Sequence, residues 1–224
     1  MKSIVASIAI VMSLACAAVA QETARTLSVV GEGQVETAPD MAIISLGVTH
    51  TDASAKAAMD RVSTDARALL DTLAAQGVEA RDIQTDQLSL SPQWNNDNGQ
   101  RDITGFVARN VVSVRVRDLA ALGGVLDAAL TAGSNDFNGL QFQLQDPGTA
   151  QADARAAAVK DAMERAAQLA TAAGATLGPI RTMTEQGQGG RPEMFAAARA
   201  SDMPVAPGAL SVTARVSVTF DLLP

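Results

Sequence analysis

The sequence predicts an α+β fold in which antiparallel sheets are covered on one face by three helices. The clearest evidence is the final stretch, where every even position from Leu210 to Leu222 is apolar and every odd position is polar. This period of two is typical of a strand with one buried face. It favours antiparallel sheets, because strands covered on both faces are apolar throughout. Segments with helical spacing separate the strands, in a strand–strand–helix order that occurs twice.

The strands are identified by alternation and by the turn residues between them. They cover residues 27–36, 41–49, 83–94, 106–116, 137–145, 180–185 and 210–222. Pro39 and Asp40 separate the first two strands, so we expect these strands to form a hairpin. The Asn-rich tract at residues 95–99 predicts a reversal between the third strand and the fourth.

Capping residues delimit the first two helices. The first begins near Asp52 or Ser54, and the second begins after Asp118, because Asp and Ser side chains accept hydrogen bonds from the free N–H groups of a first turn. Gly77 and Gly133 follow the two helices, at positions where a left-handed backbone conformation ends a helix.

The third helix, at residues 152–173, has a predicted inner stripe that is mostly alanine. Its predicted inner positions recur at spacings of four and three, namely at Ala152, Ala156, Val159, Met163, Ala166, Ala170 and Ala173. Such small side chains predict that the helix lies flat and close on a sheet formed by the strands on either side of it. On the outer face, Asp161 and Arg165 are four residues apart, in the order that favours an ion pair. A coiled coil would require Leu or Ile along the seam, which this run lacks.

Two pairs of glycines interrupt predicted elements. Gly31 and Gly33 resemble the start of a dinucleotide-binding fingerprint, but Glu36 occupies its third glycine position. A bulge or a close backbone approach is therefore the better interpretation. Gly123 and Gly124 lie inside the second helix, where each costs about 1 kcal/mol relative to alanine. We expect another part of the chain to pack closely there.

The first twenty residues are typical of a cleavable signal peptide. Lys2 supplies the positive start, Ile4 to Leu14 the apolar stretch, and residues 18–20 an Ala-Val-Ala cleavage site. The apolar stretch is too short to span a membrane as a stable anchor. We therefore expect cleavage after Ala20 and export to the periplasm.

Cleavage would remove Cys16, which is the one cysteine of the chain. The exported protein would then have no disulfide and would depend on its core for stability. A lipoprotein signal would end at Cys16, but Ser13 occupies the position where such signals carry an aliphatic residue. We therefore expect no lipid anchor.

The charge of the chain limits its partners. The full sequence has a net charge of −7, and loss of Lys2 leaves 16 basic against 24 acidic residues, a net charge of −8. This balance argues against binding to nucleic acid and to anionic lipid. Because no later stretch has eighteen consecutive apolar residues, we expect at most peripheral association with a membrane.

The sequence offers little for catalysis, and we predict no catalytic, cofactor-binding or metal-binding residue. His50 is the one histidine and stands at a strand end, where a surface role is the simpler interpretation. A zinc site needs three or four ligands, and a serine hydrolase needs a nucleophile motif that is absent. Asp82 and Asp86 read as solvated carboxylates. Trp94 could stack on a sugar, but a lid on the core is the more common role.

A Pro/Gly-rich segment at residues 187–207 predicts a long mobile loop. Within it, Met194 and Met203 carry thioethers that can bind Cu(I), and Met183 lies nearby. The alternative is that Met194 packs with Phe195 and tethers the loop.

The order of several short motifs resembles the SIMPL domain family from about Leu27 to Phe220. The resemblance rests on Val30-Gly31-Glu32-Gly33, Pro39-Asp40, Gly77, Ile83-Gln84-Thr85, Gly105-Phe106, Leu119, Gly133, the run from Ala154 to Ala162, Leu169-Ala170, Gly174 and Leu177-Gly178. It implies an exported α+β protein linked to oxidative or other stress, and in at least one branch of the family a channel-like ring. It implies no catalytic residue, and it does not extend to residues 187–207.

Two functions follow as expectations. The first is a non-enzymatic envelope protein that assembles with itself and contributes to stress defence. The second is a monomeric periplasmic module that holds an envelope protein or a soft metal through Met194, Phe195 and Arg199. An enzyme acting on small molecules is the weakest alternative, since a fold alone does not define an activity.

Overall fold

The computed structural model describes residues 25–97, 100–187, 193–195 and 206–224. In this part of the chain the strands are β1 Thr26–Thr37, β2 Met41–Asp52, β3 Ile83–Asp97, β4 Gln100–Val116, β5 Asp136–Gln143, β6 Thr176–Gln186, β7 Glu193–Phe195 and β8 Ala209–Leu223. The helices are α1 Ala55–Ala75, α2 Leu122–Thr131 and α3 Gly148–Ala172.

The strands form two antiparallel sheets, which confirms the predicted α+β class. Sheet A has the order β1-β8-β6, with β7 also pairing with β8. Sheet B has the order β3-β4-β2-β5. Helix α3 packs on sheet A, whereas α1 packs on sheet B and contacts α2. Each sheet therefore forms its own core with its own helices.

The predicted hairpin between the first two strands is wrong. β1 pairs with β8 over its whole length, from Thr26 opposite Asp221 to Thr37 opposite Leu210. β2 instead lies between β4 and β5 in the other sheet. The segment at residues 38–40 is thus a crossing between sheets. The long alternation of β8 gives β1 a partner of matching length over all twelve of its residues.

The cap of α1 is as predicted, whereas Asp118 caps a one-turn 3₁₀ helix, Leu119–Ala121, that leads into α2. Ser54 accepts a hydrogen bond from the N–H of Ala57, and Asp118 accepts one from the N–H of Ala120. Gly77 follows α1 with a φ of 83°, a conformation that favours glycine.

The inner stripe of α3 differs from the predicted one. Its buried residues recur at a constant spacing of four, at Ala150, Ala154, Ala158, Ala162, Ala166 and Ala170. Ala152, Ala156, Met163 and Ala173 are exposed, and Val159 is half-buried. A spacing of four advances about 40° around a helix at each step, because a turn contains 3.6 residues. The stripe therefore winds around α3, which keeps the helix in contact with a twisted sheet.

The glycines of β1 allow α3 to touch the backbone of the strand. A Cβ at Gly33 would lie 2.0 Å from the carbonyl oxygen of Ala154, and one at Gly31 would lie 2.1 Å from that of Ala158. The register of β1 is continuous, so the close approach is confirmed and a bulge is not. The close partner expected at Gly123 is absent among the described residues, since a Cβ there meets no atom within 4 Å.

A polar network joins the two chain crossings between the sheets. The carboxylate of Asp40, in the first crossing, accepts a hydrogen bond of 2.7 Å from the N–H of Gln145, in the second. The Gln145 side-chain amide donates to the carbonyl oxygens of Asp40 and Arg117. Arg117 in turn holds Asp82 through Nε–Oδ2 and Nη2–Oδ1 contacts of 2.6 and 2.7 Å. The network fixes where both crossings leave sheet B.

Asp82 is buried, which corrects the expectation of a solvated carboxylate. Its side chain is 3% exposed, whereas that of Arg117 is 43% exposed. Hydrogen bonds from the Arg117 guanidinium hold the pKa of the Asp82 carboxyl below its usual value of 3.8, against the opposing effect of burial. Charged acceptors in bidentate pairs make strong hydrogen bonds, so this pair stabilises the start of β3 against the end of β4.

We predict that Gly33→Ala destabilises the fold by about 1–3 kcal/mol, because the added methyl overlaps the backbone of α3. Gly123→Ala is the matched control, and it should stabilise the protein by up to about 1 kcal/mol, because its methyl meets open space in a helix. Urea unfolding followed by circular dichroism measures both. Equal effects of the two substitutions would contradict the close packing of α3 on β1.

We predict that Asp82→Asn lowers the free energy of unfolding at pH 7 by about 1–3 kcal/mol. The pKa of Asp82 is lowered in the folded state, so its stabilising contribution is complete above pH 3.8 and is lost as the pH falls below that value. The variant should therefore lose less stability than the wild type in acid. Asp60→Asn, at an exposed surface pair with Lys56, is the control. Parallel acid denaturation curves of wild type and Asp82→Asn would contradict this role.

Candidate interaction surface

The most exposed apolar part of sheet B is the arm formed by the outer halves of β3 and β4. Helix α1 packs on β2 and β4 and makes little contact with β3. Leu88, Leu90 and Trp94 of β3 are 61%, 41% and 47% exposed, and Ile103 of β4 is half exposed. We call these four residues the apolar row.

The apolar row continues the inner face of sheet B beyond the edge of its helices. Leu90 lies opposite Ala108, which is fully buried in the core under α1, and Trp94 lies opposite Ile103. Residues that are directly opposite share a face of the sheet, so the row and the core belong to one apolar surface. An exposed continuation of this kind is typical of a protein contact site.

Trp94 is therefore not the lid on the core that the sequence favours. It is about half exposed near the end of the arm, and it lies outside both buried clusters of the described residues. β3 and β4 pair as far as Asp97 and Gln100. The reversal predicted at residues 95–99 is thus wrong for residues 95–97, which belong to β3, and the rest of that tract lies outside the described residues.

The outer strand of the arm is also a free sheet edge. β3 pairs with β4 alone among the described strands. The segment from Gln87 to Asn96 has no charged residue, although charged side chains are a common protection of exposed edges. This uncharged edge next to the apolar row offers main-chain groups and apolar side chains at the same place.

The edge of β1 is closed by α3. The N–H of Glu32 donates to Asp161 Oδ2 at 2.8 Å, and Arg165 Nη1 donates to the carbonyl oxygen of Val30 at 3.1 Å. Asp161 and Arg165 also pair with each other, at 2.9 Å. The predicted ion pair is thus confirmed. Its contact with two edge groups of β1 was not expected, because the path of α3 along the strand is a tertiary property.

The two remaining long edges are irregular. β6 shifts register twice against β8, on either side of Ile180, and carries Arg181 and Glu185. β5 has only eight residues, shifts register against β2, and contains Gly139 with a φ of 139°. Bulges and short length disfavour pairing with a further strand. β3 shifts register as well, but its seven residues from 87 to 93 are regular and uncharged. The longest regular runs of β5 and β6 have five residues, so β3 is the edge best suited to strand addition.

His50 holds a helix on its sheet. Its Nε2 lies 2.5 Å from Asp65 Oδ2 of α1, and the two side chains are 28% and 38% exposed. The sequence suggests a simple surface histidine at a strand end; the partner on α1 could not be identified without the tertiary structure. Arg61 and Asp52 form a second contact between α1 and β2, at 3.5 Å. The contact between His50 and Asp65 is therefore explained by its role in holding α1 on β2.

The predicted loop at residues 187–207 lies mostly outside the described residues, including Arg199 and Met203. Its middle contains the short strand β7, in which Met194 pairs with Leu210 of β8. Met183 is about half exposed on β6. The mobility of the loop and its metal binding stay predictions.

The described residues contain neither a membrane-spanning helix nor a cluster of metal ligands. None of their helices is long and apolar enough to cross a membrane. Within the same residues, no three His, Cys, Asp or Glu side chains are grouped so that they could hold a metal ion.

Comparison with known proteins agrees with the predicted resemblance. Residues 27–220 match the sequence model of the SIMPL family, described as a protein of unknown function (DUF541). The chain is 32% identical to the 26 kDa periplasmic immunogenic protein of Brucella melitensis biotype 1, over 96% of this chain and 94% of the relative. It is 29% identical to the uncharacterized protein YggE of Edwardsiella ictaluri, over 75% and 72% of the two chains. The identity to YggE of Escherichia coli K12 is 27%, over 67% of this chain and 61% of the relative.

Proposed function

Because the chain belongs to the SIMPL family, and a relative that matches most of its length is named as periplasmic, we propose that it is a non-enzymatic envelope protein that works as an assembly of identical copies. The proposal includes export to the periplasm with cleavage after Ala20. The observation that carries self-assembly is the apolar row on the free edge of β3.

The apolar row is costly to leave in water. Full burial of a leucine side chain contributes about 1.5–3 kcal/mol relative to exposure, and Leu88 and Leu90 are 61% and 41% exposed in the single chain. A second copy supplies a surface of the same kind, so a contact between two rows would remove both from water. Specific association of identical copies is the commonest form of oligomer.

The charge of the protein supports this location of the contact. Two copies that each have a net charge of −8 without the signal peptide repel one another in general. The segment from Gln87 to Asn96 is uncharged, so copies that meet there bring no like charges of this segment together. Elsewhere on the sheets, several charged side chains form ion pairs, for example Glu32 with Arg215.

The contribution to stress defence follows from the family resemblance and forms part of the proposal. In this view the assembly acts as a scaffold of the envelope, and its loss would sensitise cells to oxidants. The second candidate is a binding module that uses residues 187–207. The pairing of β7 with Leu210 favours it, since that contact anchors the middle of the loop on sheet A.

We predict that the protein of residues 21–224 forms a discrete multimer, measured by native mass spectrometry and light scattering over a concentration series. Leu88→Ser should lower the average mass. Leu169→Ser, which removes a similarly exposed leucine from α3, should not. A deletion strain should regain oxidant tolerance with the wild type and with Leu169→Ser, but not with Leu88→Ser. A monomer at every concentration would refute self-assembly and leave the loop-based binding module as the remaining candidate.

A further inference from the structure

We infer that two copies join by antiparallel pairing of β3 with β3 of the second copy, centred on Ser89. This inference rests on the proposed self-assembly and specifies its contact. The occupant of the β3 edge is thus a second copy, and the pairing would extend sheet B of each copy into one continuous sheet of eight strands.

The length of the contact is set by two interruptions of β3. Asp86 is an extra residue on β3, because Thr85 and Gln87 are opposite the consecutive residues Val112 and Val111 of β4. Pro92 has no N–H and cannot donate to a neighbouring strand. Between these two residues the register of β3 is regular. The available segment is therefore Gln87 to Ser91, and its middle residue is Ser89.

Pro92 also indicates which residues face the edge. Within a sheet, proline is confined to positions whose nitrogen points to the free side. Backbone groups alternate in direction along a strand, so Leu88 and Leu90 direct their N–H and C=O groups to the edge, and Ser89 directs its own to β4. Antiparallel pairing about Ser89 then exchanges hydrogen bonds between Leu88 of one copy and Leu90 of the other, on both sides of a two-fold axis.

The side chains fit this arrangement. Leu88 lies opposite Leu90 of the second copy on the face that carries the apolar row, where apolar cross-strand pairs stabilise a sheet. On the other face, Ser89 lies opposite Ser89 of the second copy. Because the segment from Gln87 to Ser91 has no charged residue, the pairing brings no like charges together. The other edges are less suitable, since α3 binds edge groups of β1 and the regular runs of β5 and β6 are shorter than that of β3.

Cysteine cross-linking tests the register directly. In the protein of residues 21–224, which has no cysteine, Ser89→Cys places two thiols opposite each other. The Cα atoms of such a non-hydrogen-bonded pair lie about 4.5 Å apart, within the range of a disulfide. Ser91→Cys is the matched control on the same strand and face. In this register its two copies would be about 13 Å apart along the strands, too far for a disulfide.

Mild oxidation should convert most Ser89→Cys protein into a disulfide-linked pair and leave Ser91→Cys largely monomeric on non-reducing gels. Ser89→Lys should dissociate the pair, because it places two like charges opposite each other. If the wild type forms multimers but Ser89→Cys does not cross-link, or Ser91→Cys cross-links equally well, the β3 pairing is refuted and self-assembly stands. If the wild type is a monomer at every concentration, both proposals fail. Circular dichroism of each variant confirms that it is folded.

Discussion

Contact between the backbones of α3 and β1 determines much of this structure. A helix normally meets a sheet through its side chains, but here the glycines at positions 31 and 33 remove the side chains of the strand. On the helix, the alanine stripe reduces each inward-facing side chain to a single methyl group. The carbonyl oxygens of Ala154 and Ala158 then occupy the places where Cβ atoms of β1 would stand. The helix is thereby held over β1 and β8, and it makes little contact with β6.

That position of α3 has a consequence for the edges of the sheets. Because the helix lies so low on β1, Asp161 and Arg165 reach over the strand and bind its edge groups. An edge that would otherwise accept another strand is closed by an ion pair on the covering helix. Among the described residues, sheet B has no equivalent contact. Its helix α1 lies over β2 and β4, and β3 remains outside the cover with its leucines in water. This asymmetry between the two sheets is the basis of the proposed association through β3.

The two halves of the molecule also depend on a single polar junction. Both crossings between the sheets meet at Asp40 and Gln145, and Arg117 connects this meeting point to the buried carboxylate of Asp82. A hydrogen-bonded buried charge is costly to leave without its partner, so the network fixes a unique path for the chain. β3 starts and β4 ends at this junction, so the junction fixes the inner end of this strand pair.

Local sequence patterns were enough to predict most of the elements and the α+β class, although β7 falls inside the predicted loop and β4 begins six residues before the predicted strand. Alternation located β8 and β2 closely, and Ser54, Asp118 and Gly77 marked helix ends. Which strands pair with one another was harder to predict from local patterns. Pro39 and Asp40 suggest a turn, and no local signal shows that β1 pairs with a strand almost two hundred residues away. The stripe of α3 was placed partly on the wrong residues, because a straight-helix pattern ignores the twist of the sheet. The apolar row follows from the alternation of β3, but its exposure depends on where α1 lies.

The uncharged segment of β3 is the signal that sequence reasoning could have used for the candidate surface. Ten consecutive residues without charge, in a strand bounded by Asp86 and Asp97, are unusual for a strand end that projects from its sheet. The closure of β1 could not be foreseen in the same way. Asp161 and Arg165 form an ordinary helical pair in the sequence, and their second role requires the glycines of a strand about 130 residues earlier.

Hydrogen exchange of the β3 amides, measured by NMR as a function of protein concentration, tests this account most directly. We expect the amides of Leu88 and Leu90 to become slower to exchange as concentration rises, because they would enter hydrogen bonds with a second copy. The amide of Glu32, bound to Asp161 within the same chain, should be slow at every concentration. Exchange at Leu88 and Leu90 that does not change with concentration, in a protein that still forms multimers, would contradict the pairing of β3.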